Sequence, residues 1–387
     1  MLCSIAHEHT LPNPSMPRIL YMDCAPFLGG AQESLWTLAQ AFREHAFLVA
    51  GNGLQAKALE NGWPHAVLPT RHWPATLRGL WQFWQDRRKA IPVLQEAISR
   101  FKPELLHANG LRSAMLLAGV RKLPCPVILH DRDIREPSLL LAPLTRRLAP
   151  TVVATSSSVA QKWQGRLPKE RIHVIPNGFD LTSIRTTIPA TLPHEKSPGG
   201  WTVLLAGDFL PWKRHGLFLE AVRLAHRQAP ELRAIIKGRV RNQEGRVLQQ
   251  LRQRLAEEPE LASCVFIDST DASALPYIAS ANLLVSCSQG EPFGRTIVES
   301  YALGKPVAAT RDGGAPELLD TTAAQVCDST PDALATAILA WRDVHRRTAA
   351  ASVALAKAED YALERTLADW RKLYASLCPS PDIALKP

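Results

Sequence analysis

At 387 residues, with 46% hydrophobic and 21% charged residues, the chain suits two globular domains and is too apolar to be disordered. Its net charge of +9 favours anionic partners such as nucleotide diphosphates, phospholipid headgroups or nucleic acid; the sequence has no zinc-finger spacing and no aromatic RNP-like strand, so nucleic acid is not expected among them. Seven scattered cysteines, odd in number and without a C-x-x-C pair, indicate neither a disulfide framework nor a zinc site, and read as reduced thiols of a cytoplasmic protein.

Residues 1–16 read as a flexible extension without the apolar core of a secretory signal. No stretch approaches the roughly 18 apolar residues of a spanning helix, so the expected location is cytoplasmic, with attachment to the inner face of the cell membrane at most peripheral. Order begins at Arg18–Met22, an apolar run that predicts a first buried strand. Gly29-Gly30 follow, then a helical pattern from Glu33 to about Arg43 and a second strand at Ala46–Ala50. Further strands are predicted at Leu105–His107, Val127–His130 and Thr151–Thr155, with helices between them. Such alternation implies parallel βαβ units and a doubly wound sheet.

The pattern pauses at 181–200 (LTSIRTTIPATLPHEKSPGG), which reads as a linker because it is rich in Pro, Thr and Ser. A second series then runs through strands at Trp201–Ala206, Arg233–Lys237, Val265–Ile267, Leu283–Cys287 and Pro306–Ala309. Helices are predicted at Gly216–Gln228, Asn242–Glu257, Leu275–Ala279 and Arg295–Leu303, and the tail from Pro331 reads as helical. The domains predicted are therefore 17–180 and 201–360, with 361–387 a C-terminal helix and tail packing back toward the first domain. Open parallel sheets bind ligands beyond the carboxyl ends of their strands, so functional residues are expected in the loops there, facing a cleft between the two halves.

The most informative segment is Gly290-Glu291-Pro292-Phe293-Gly294-Arg295-Thr296-Ile297-Val298-Glu299, followed by Gly304-Lys305-Pro306-Val307. It opens directly after a predicted strand. Pro292 fixes the backbone and Gly294 removes a side chain, which lets a phosphate approach backbone N–H groups at the positive end of the next helix. From within that helix, the Glu299 carboxylate is placed to accept hydrogen bonds from two ribose hydroxyls, as the acidic residue of a dinucleotide site does. The plainer alternative is a Glu299 that caps or ion-pairs and a solvated Glu291.

This segment resembles the E-x7-E signature of the retaining glycosyltransferases of family 4, which have the GT-B fold of two Rossmann-like domains facing a cleft. Gly313-Gly314-Ala315-Pro316-Glu317 is similar to their G-G-x-P-E turn, and Gly207 to Lys213 to their G-R-x-x-x-x-K phosphate segment. Pro176-Asn177-Gly178-Phe179-Asp180 is similar to P-N-G-x-D, and Gly29-Gly30-Ala31-Gln32 to the N-terminal glycine loop. The resemblance runs from about Arg18 to Tyr374 and is strongest in the second half. It implies an N-terminal acceptor domain, a C-terminal donor domain, and retaining transfer from a UDP-, GDP- or ADP-sugar to an acceptor hydroxyl. Neither cofactor nor metal is implied.

Carried over residue by residue, the resemblance makes His130 and Glu291 the catalytic candidates. It assigns Gly29, Gly30, Asn177, Lys213, Arg214, Glu291, Pro292, Phe293, Gly294, Arg295 and Glu299 to the donor. Lysine suits a diphosphate because it is a compact charge with three donors. One departure is specific: Asp208 stands where the family has arginine, so it must turn away by capping or pairing, or Arg214 must compensate. Asp131-Arg132-Asp133 matches a metal-binding D-x-D, but of a fold with one nucleotide half, so pairing of these charges with Arg132 or Arg135 is expected instead.

The first domain says less about its ligand. Arg78, Trp81, Trp84, Arg87 and Arg88 suit an acceptor or an anionic membrane surface, because tryptophans three apart share a helix face beside cations. Packed tryptophans and solvated arginines fit equally well. Leu139-Leu140-Leu141 with Arg146-Arg147 is a second candidate. A surface glycan, lipopolysaccharide or glycolipid acceptor is the expected partner. Two rival functions stay open: a GT-B sugar-nucleotide epimerase or hydrolase, and a catalytically silent sugar-nucleotide-binding scaffold.

Overall fold

Apolar runs become strands at the ten predicted places, and three further strands join them. Ile19–Asp23 forms β1, Ala46–Ala50 β2, His65–Val67 β3, Leu105–Asn109 β4, Val127–Asp131 β5, Thr151–Ala154 β6 and Ile172–Val174 β7. Trp201–Ala206 forms β8, Leu232–Lys237 β9, Val265–Asp268 β10, Leu283–Ser286 β11, Val307–Thr310 β12 and Ala324–Cys327 β13. The computed structural model describes residues 16–73, 76–134, 138–192, 200–240 and 245–378, without the side chains of 138–140. Residues 1–15 of the expected extension, 193–199 of the expected linker, 242–244 of the expected polar helix, Arg135, and the side chains of Leu139 and Leu140 lie outside the described residues.

One sheet has the order β3-β2-β1-β4-β5-β6-β7 and the other β10-β9-β8-β11-β12-β13. Pairing is parallel, with Ile19 opposite both Ala46 and Leu105, and Val203 opposite both Ala234 and Leu283. Both doubly wound sheets of the expected fold class are therefore present. In each, the order reverses beside one strand, between β1 and β4 and between β8 and β11. Loops leaving neighbouring strands at such a point diverge and open a crevice at their carboxyl ends.

Two compact units make up the chain. One comprises the chain up to Asp131, Ser138–Val153 and the segment from Leu367 onward; the other comprises the rest. In the second unit, Val203 and Leu205 of β8 pack on one face of the sheet with Phe218, Leu219 and Val222. Leu204 and Ala206 pack on the other face with Ile297, Val298 and Tyr301. Successive strand side chains point to opposite faces, so burial on both requires helices on both sides. Each large apolar side chain so buried contributes about 1.5–3 kcal/mol.

The differences from the sequence reading are local. The stretch read as linker contains a short helix, Leu181–Arg185, because the Asp180 carboxylate caps it by accepting from the Ser183 N–H at 2.9 Å. Strands β3, β7 and β13 were not predicted. Among the described residues, no helix is long and apolar enough to cross a membrane.

Candidate functional site

In the second unit, the loops that follow β8 and β11 hold each other. The chain after β8 passes through a single turn, Pro211–Lys213, and leaves it at Arg214 in the left-handed region, with φ 52°. From the other loop, the Gln289 N–H donates to the Trp212 carbonyl at 2.7 Å, and the Cys287 thiol reaches the Lys213 and Arg214 carbonyls at 3.6 Å. Lys213 is thereby held with its ammonium 4.1 Å from the centroid of the Trp212 ring.

Lys213 Nζ donates to Glu291 Oε2 at 2.6 Å, with side chains only 18% and 12% exposed. Arg214 pairs with Asp312 at 2.8 Å. Asp208 pairs with Arg239 at 3.2 Å, so of the alternatives open for this residue the protein takes pairing. Gly294 caps the helix Arg295–Ala302 at φ 102°, a conformation open to glycine and strained for other residues. The helix thus begins at the loop and turns its positive end there, with the Ile297 N–H of its first turn donating to the Gly294 carbonyl at 2.9 Å.

Glu299 sits in that helix, 3.5 Å from Arg295 four residues earlier. Burial pushes its carboxyl above the ordinary range, and the Arg295 charge opposes this only in part. Arg295 itself lies 5.0 Å from the Phe179 ring centroid. Phe293 is buried, stacked at 6.2 Å on Phe179 and edge-on at 5.8 Å to Tyr361. Its side chain anchors the loop to the core.

The turn at 313–317 is built against this loop. A Cβ on Gly313 would lie 2.3 Å from the Glu291 carbonyl oxygen, and one on Gly314 2.5 Å from that of Pro292. The Gly314 N–H donates to the Glu291 carbonyl at 2.6 Å, and Ser156 Oγ to the Pro292 carbonyl at 2.6 Å. Glu317 accepts from the backbone N–H groups of Ser157 and Ser158, at 2.8 and 2.9 Å. Asn177 Oδ1 accepts from the Arg132 guanidinium at 2.5 Å, so Arg132 of the D-x-D run is turned to an amide. Among the described residues, no group of three His, Cys, Asp or Glu side chains is arranged to hold a metal ion.

The first unit gathers polar residues at the ends of β1, β4 and β5. Asp23 Oδ2 accepts from Gln32 Nε2 at 2.9 Å and from Asn109 Nδ2 at 2.5 Å. Gln32 Oε1 in turn accepts from the Gly29 N–H at 3.1 Å. Gly29 is thus tied down as the N-cap of the helix Gly30–Ala41, with Gly30 exposed in its first turn. His130 is buried at the end of β5, its Nδ1 3.1 Å from Nε2 of His107 and its ring 4.8 Å from Trp370.

The second unit therefore brings together Lys213, Arg214, Glu291, Pro292, Gly294, Arg295 and Glu299, and the first unit Gly29, Gly30 and His130. Asn177 belongs to the second unit, at the segment whose Phe179 bonds the 361–363 backbone. Sequence reasoning missed Asp23, Asn109 and Ser156, and named Gln32 and Glu317 only as members of their motifs, without a role. A polar residue closing an apolar strand, as at Asp23 and Asn109, was the one available signal.

The sequence matches two related family models. Residues 28–183 match the model described as glycosyltransferase family 4, and residues 200–343 that of glycosyl transferases group 1. The chain belongs to this family. A curated relative, the mannosylfructose-phosphate synthase of Agrobacterium fabrum, is 30% identical over 158 residues, covering 38% of this chain and 34% of the relative. The D-inositol 3-phosphate glycosyltransferase of Pseudarthrobacter chlorophenolicus is 27% identical over 149 residues, covering 38% and 35%. The chain spans about a third of the length of these curated relatives. Among solved structures, Anabaena Alr3699/HepE in complex with UDP-glucose superposes with a TM-score of 0.77 at 23% identity, over 93% of this chain and 100% of that one. The sucrose-phosphate synthase of Thermosynechococcus elongatus does so at 0.74 and 17%, over 93% and 98%. At these identities the two structures establish the fold.

Proposed function

We propose that the protein is a retaining, metal-independent glycosyltransferase that moves a sugar from a nucleotide-diphosphate sugar to an acceptor hydroxyl, in the synthesis of a surface glycan, lipopolysaccharide or glycolipid. One observation carries the reading: a lysine, a glutamate and a glycine-capped helix start meet at the carboxyl end of β11, with a second, nearly buried glutamate inside the helix. Lys213, Arg214 and the helix start hold the diphosphate, Glu299 the ribose and Glu291 the sugar. His130 orients the transferring sugar.

In the reaction, the bond from C1 of the sugar to the diphosphate oxygen breaks, and a bond from C1 to the acceptor oxygen forms on the same face. The acceptor proton passes to the departing diphosphate. The protein's part is electrostatic, because negative charge grows on the diphosphate in the transition state and fixed cations and N–H groups stabilise it. UDP-glucose is the first donor to test, since a protein of this fold has been solved with it.

The test is a thermal-shift screen with UDP-, GDP- and ADP-sugars on the wild type and Glu299→Ala. One donor should raise the wild-type Tm by mass action, and the variant should lose most of that gain. Glu291→Ala should lower turnover more than donor affinity, and the anomeric configuration of the product, read by NMR, should be retained. A donor consumed equally fast with and without acceptors would instead identify a hydrolase.

A further inference from the structure

We propose that the exposed face of the helix Leu77–Phe101 docks the protein on an anionic lipid bilayer. The helix has two apolar faces. One turns Gly79, Phe83, Ala90, Leu94 and Ala97 into its own unit. The other faces solvent: Leu77 is 87% exposed, Leu80 53%, Trp81 61% and Trp84 50%. These four stand at i, i+3, i+4 and i+7, which at 3.6 residues per turn places them within an arc of roughly 100°.

Solvent does not favour such a stripe, and soluble monomers seldom gather large apolar side chains on one exposed face. The stripe also ends abruptly. Beyond Trp84 the exposed positions are Arg88, Lys89, Pro92, Gln95, Glu96, Ser99 and Arg100, so the apolar face is confined to the first two turns.

Charge selects the occupant. Arg78 and Lys89 are exposed on its flank, Arg88 follows in line with the stripe, and the Arg87 guanidinium lies 4.7 Å from the Trp84 ring centroid. Over these eight to twelve residues no acidic side chain is exposed; Asp86 is buried, held by Arg71 at 2.8 Å and by the Trp73 indole N–H at 2.8 Å. Tryptophan and leucine flanked by arginine and lysine match the boundary between acyl chains and anionic headgroups, where indole rings sit and cations meet phosphate. A second copy of the chain would bring the same cations face to face. This docking stands apart from the donor chemistry and does not depend on it.

Flotation of the full-length protein with phosphatidylglycerol-containing and pure phosphatidylcholine vesicles tests the proposal, alongside quenching of tryptophan emission by brominated lipids. Binding to the anionic vesicles, quenching, and weakening by salt are expected. Trp81→Ala with Trp84→Ala should lower partitioning by about tenfold or more and abolish most quenching. Arg78→Gln with Arg88→Gln and Lys89→Gln should remove the preference for anionic lipid. Because the substituted side chains are exposed, an unchanged Tm reports intact folding. Failure to float, or flotation that the tryptophan pair does not alter, overturns the proposal. So does a concentration-dependent dimer that Leu80→Ser disrupts, which would give the stripe to a second copy.

Discussion

Lys213 Nζ and Glu291 Oε2 lie 2.6 Å apart, so the cation assigned to the diphosphate and the carboxylate assigned to the sugar neutralise each other. On the proposed reading, a bound phosphate would compete with Glu291 for the ammonium. Removing the lysine alone leaves a largely buried carboxylate without its counter-charge, which costs more than the pair itself contributes. Lys213→Ala should lower folding stability by about 1–3 kcal/mol, and Lys213→Ala with Glu291→Ala should recover most of it. Urea denaturation of the three proteins measures this. A single variant as stable as the wild type would mean that the pair contributes nothing.

Glu299 yields a prediction of opposite sign. Its carboxyl titrates above the ordinary range because burial outweighs the Arg295 charge. The folded state therefore holds this proton at pH values where the unfolded state has released it, and folding stability falls as pH rises through that window. Glu299→Gln removes the ionisation, so the variant should be more stable than the wild type at neutral pH, with the difference vanishing below the ordinary carboxylate range. Donor-dependent stabilisation should be lost in the same variant, since an amide cannot accept from two ribose hydroxyls as a carboxylate does. Thermal scans across pH, with and without UDP-sugar, check both halves. A Gln variant less stable than wild type at neutral pH would show the Arg295 pair to dominate.

What the sequence revealed follows physical lines. Strands inside a sheet were legible because burial on both faces writes a continuous apolar run, as at Ile19–Asp23 and Trp201–Ala206. The three strands missed, His65–Val67, Ile172–Val174 and Ala324–Cys327, are all edge strands of three or four residues, where half-exposed positions dilute the run. The Arg295–Glu299 pair was readable from its helical spacing. Lys213 and Glu291, 78 residues apart, meet only through the fold. The tryptophans near 80 were undecidable for a different reason. Their helix has two apolar faces, and periodicity does not tell which one the core takes: Phe83 is inside, Trp81 and Trp84 outside.

His215 gives the protein an acid-side liability. The ring is buried beside the 207–214 loop, its Nε2 3.3 Å from the Gly207 carbonyl, and burial pushes its pKa down to about 4. The unfolded chain binds this proton near pH 6.5 and the folded chain only near 4. Stability is therefore complete above pH 6.5 and is lost as pH falls toward 4, by up to about 3 kcal/mol. His215→Asn should flatten the part of the profile between those values, measured by urea denaturation against the wild type. Parallel profiles would assign the acid sensitivity to the carboxylates.

The tautomer of His130 can be predicted from a residue three hydrogen bonds away. The Tyr21 hydroxyl is fully buried, and among the described residues it meets only the Tyr374 hydroxyl, at 3.2 Å. Burial also pushes this phenol well above its ordinary range, so its proton stays in place. A buried O–H without an acceptor is costlier than an idle lone pair, which makes Tyr21 the donor and Tyr374 the acceptor. With the Tyr374 proton directed at His107 Nδ1, 2.9 Å away, His107 would carry its own on Nε2, facing His130 Nδ1 at 3.1 Å. His130 is left with its proton on Nε2, as a neutral donor suited to a sugar hydroxyl. Nitrogen-15 NMR of the imidazoles at neutral pH should report the Nε2–H form at both histidines, and Tyr374→Phe should shift His107 toward a mixture. Turnover in that variant should fall about tenfold, with little change in donor KM, because His130 loses orientation and not contact. A wild-type His130 protonated on Nδ1 would reverse the whole relay and detach Tyr21 from the site.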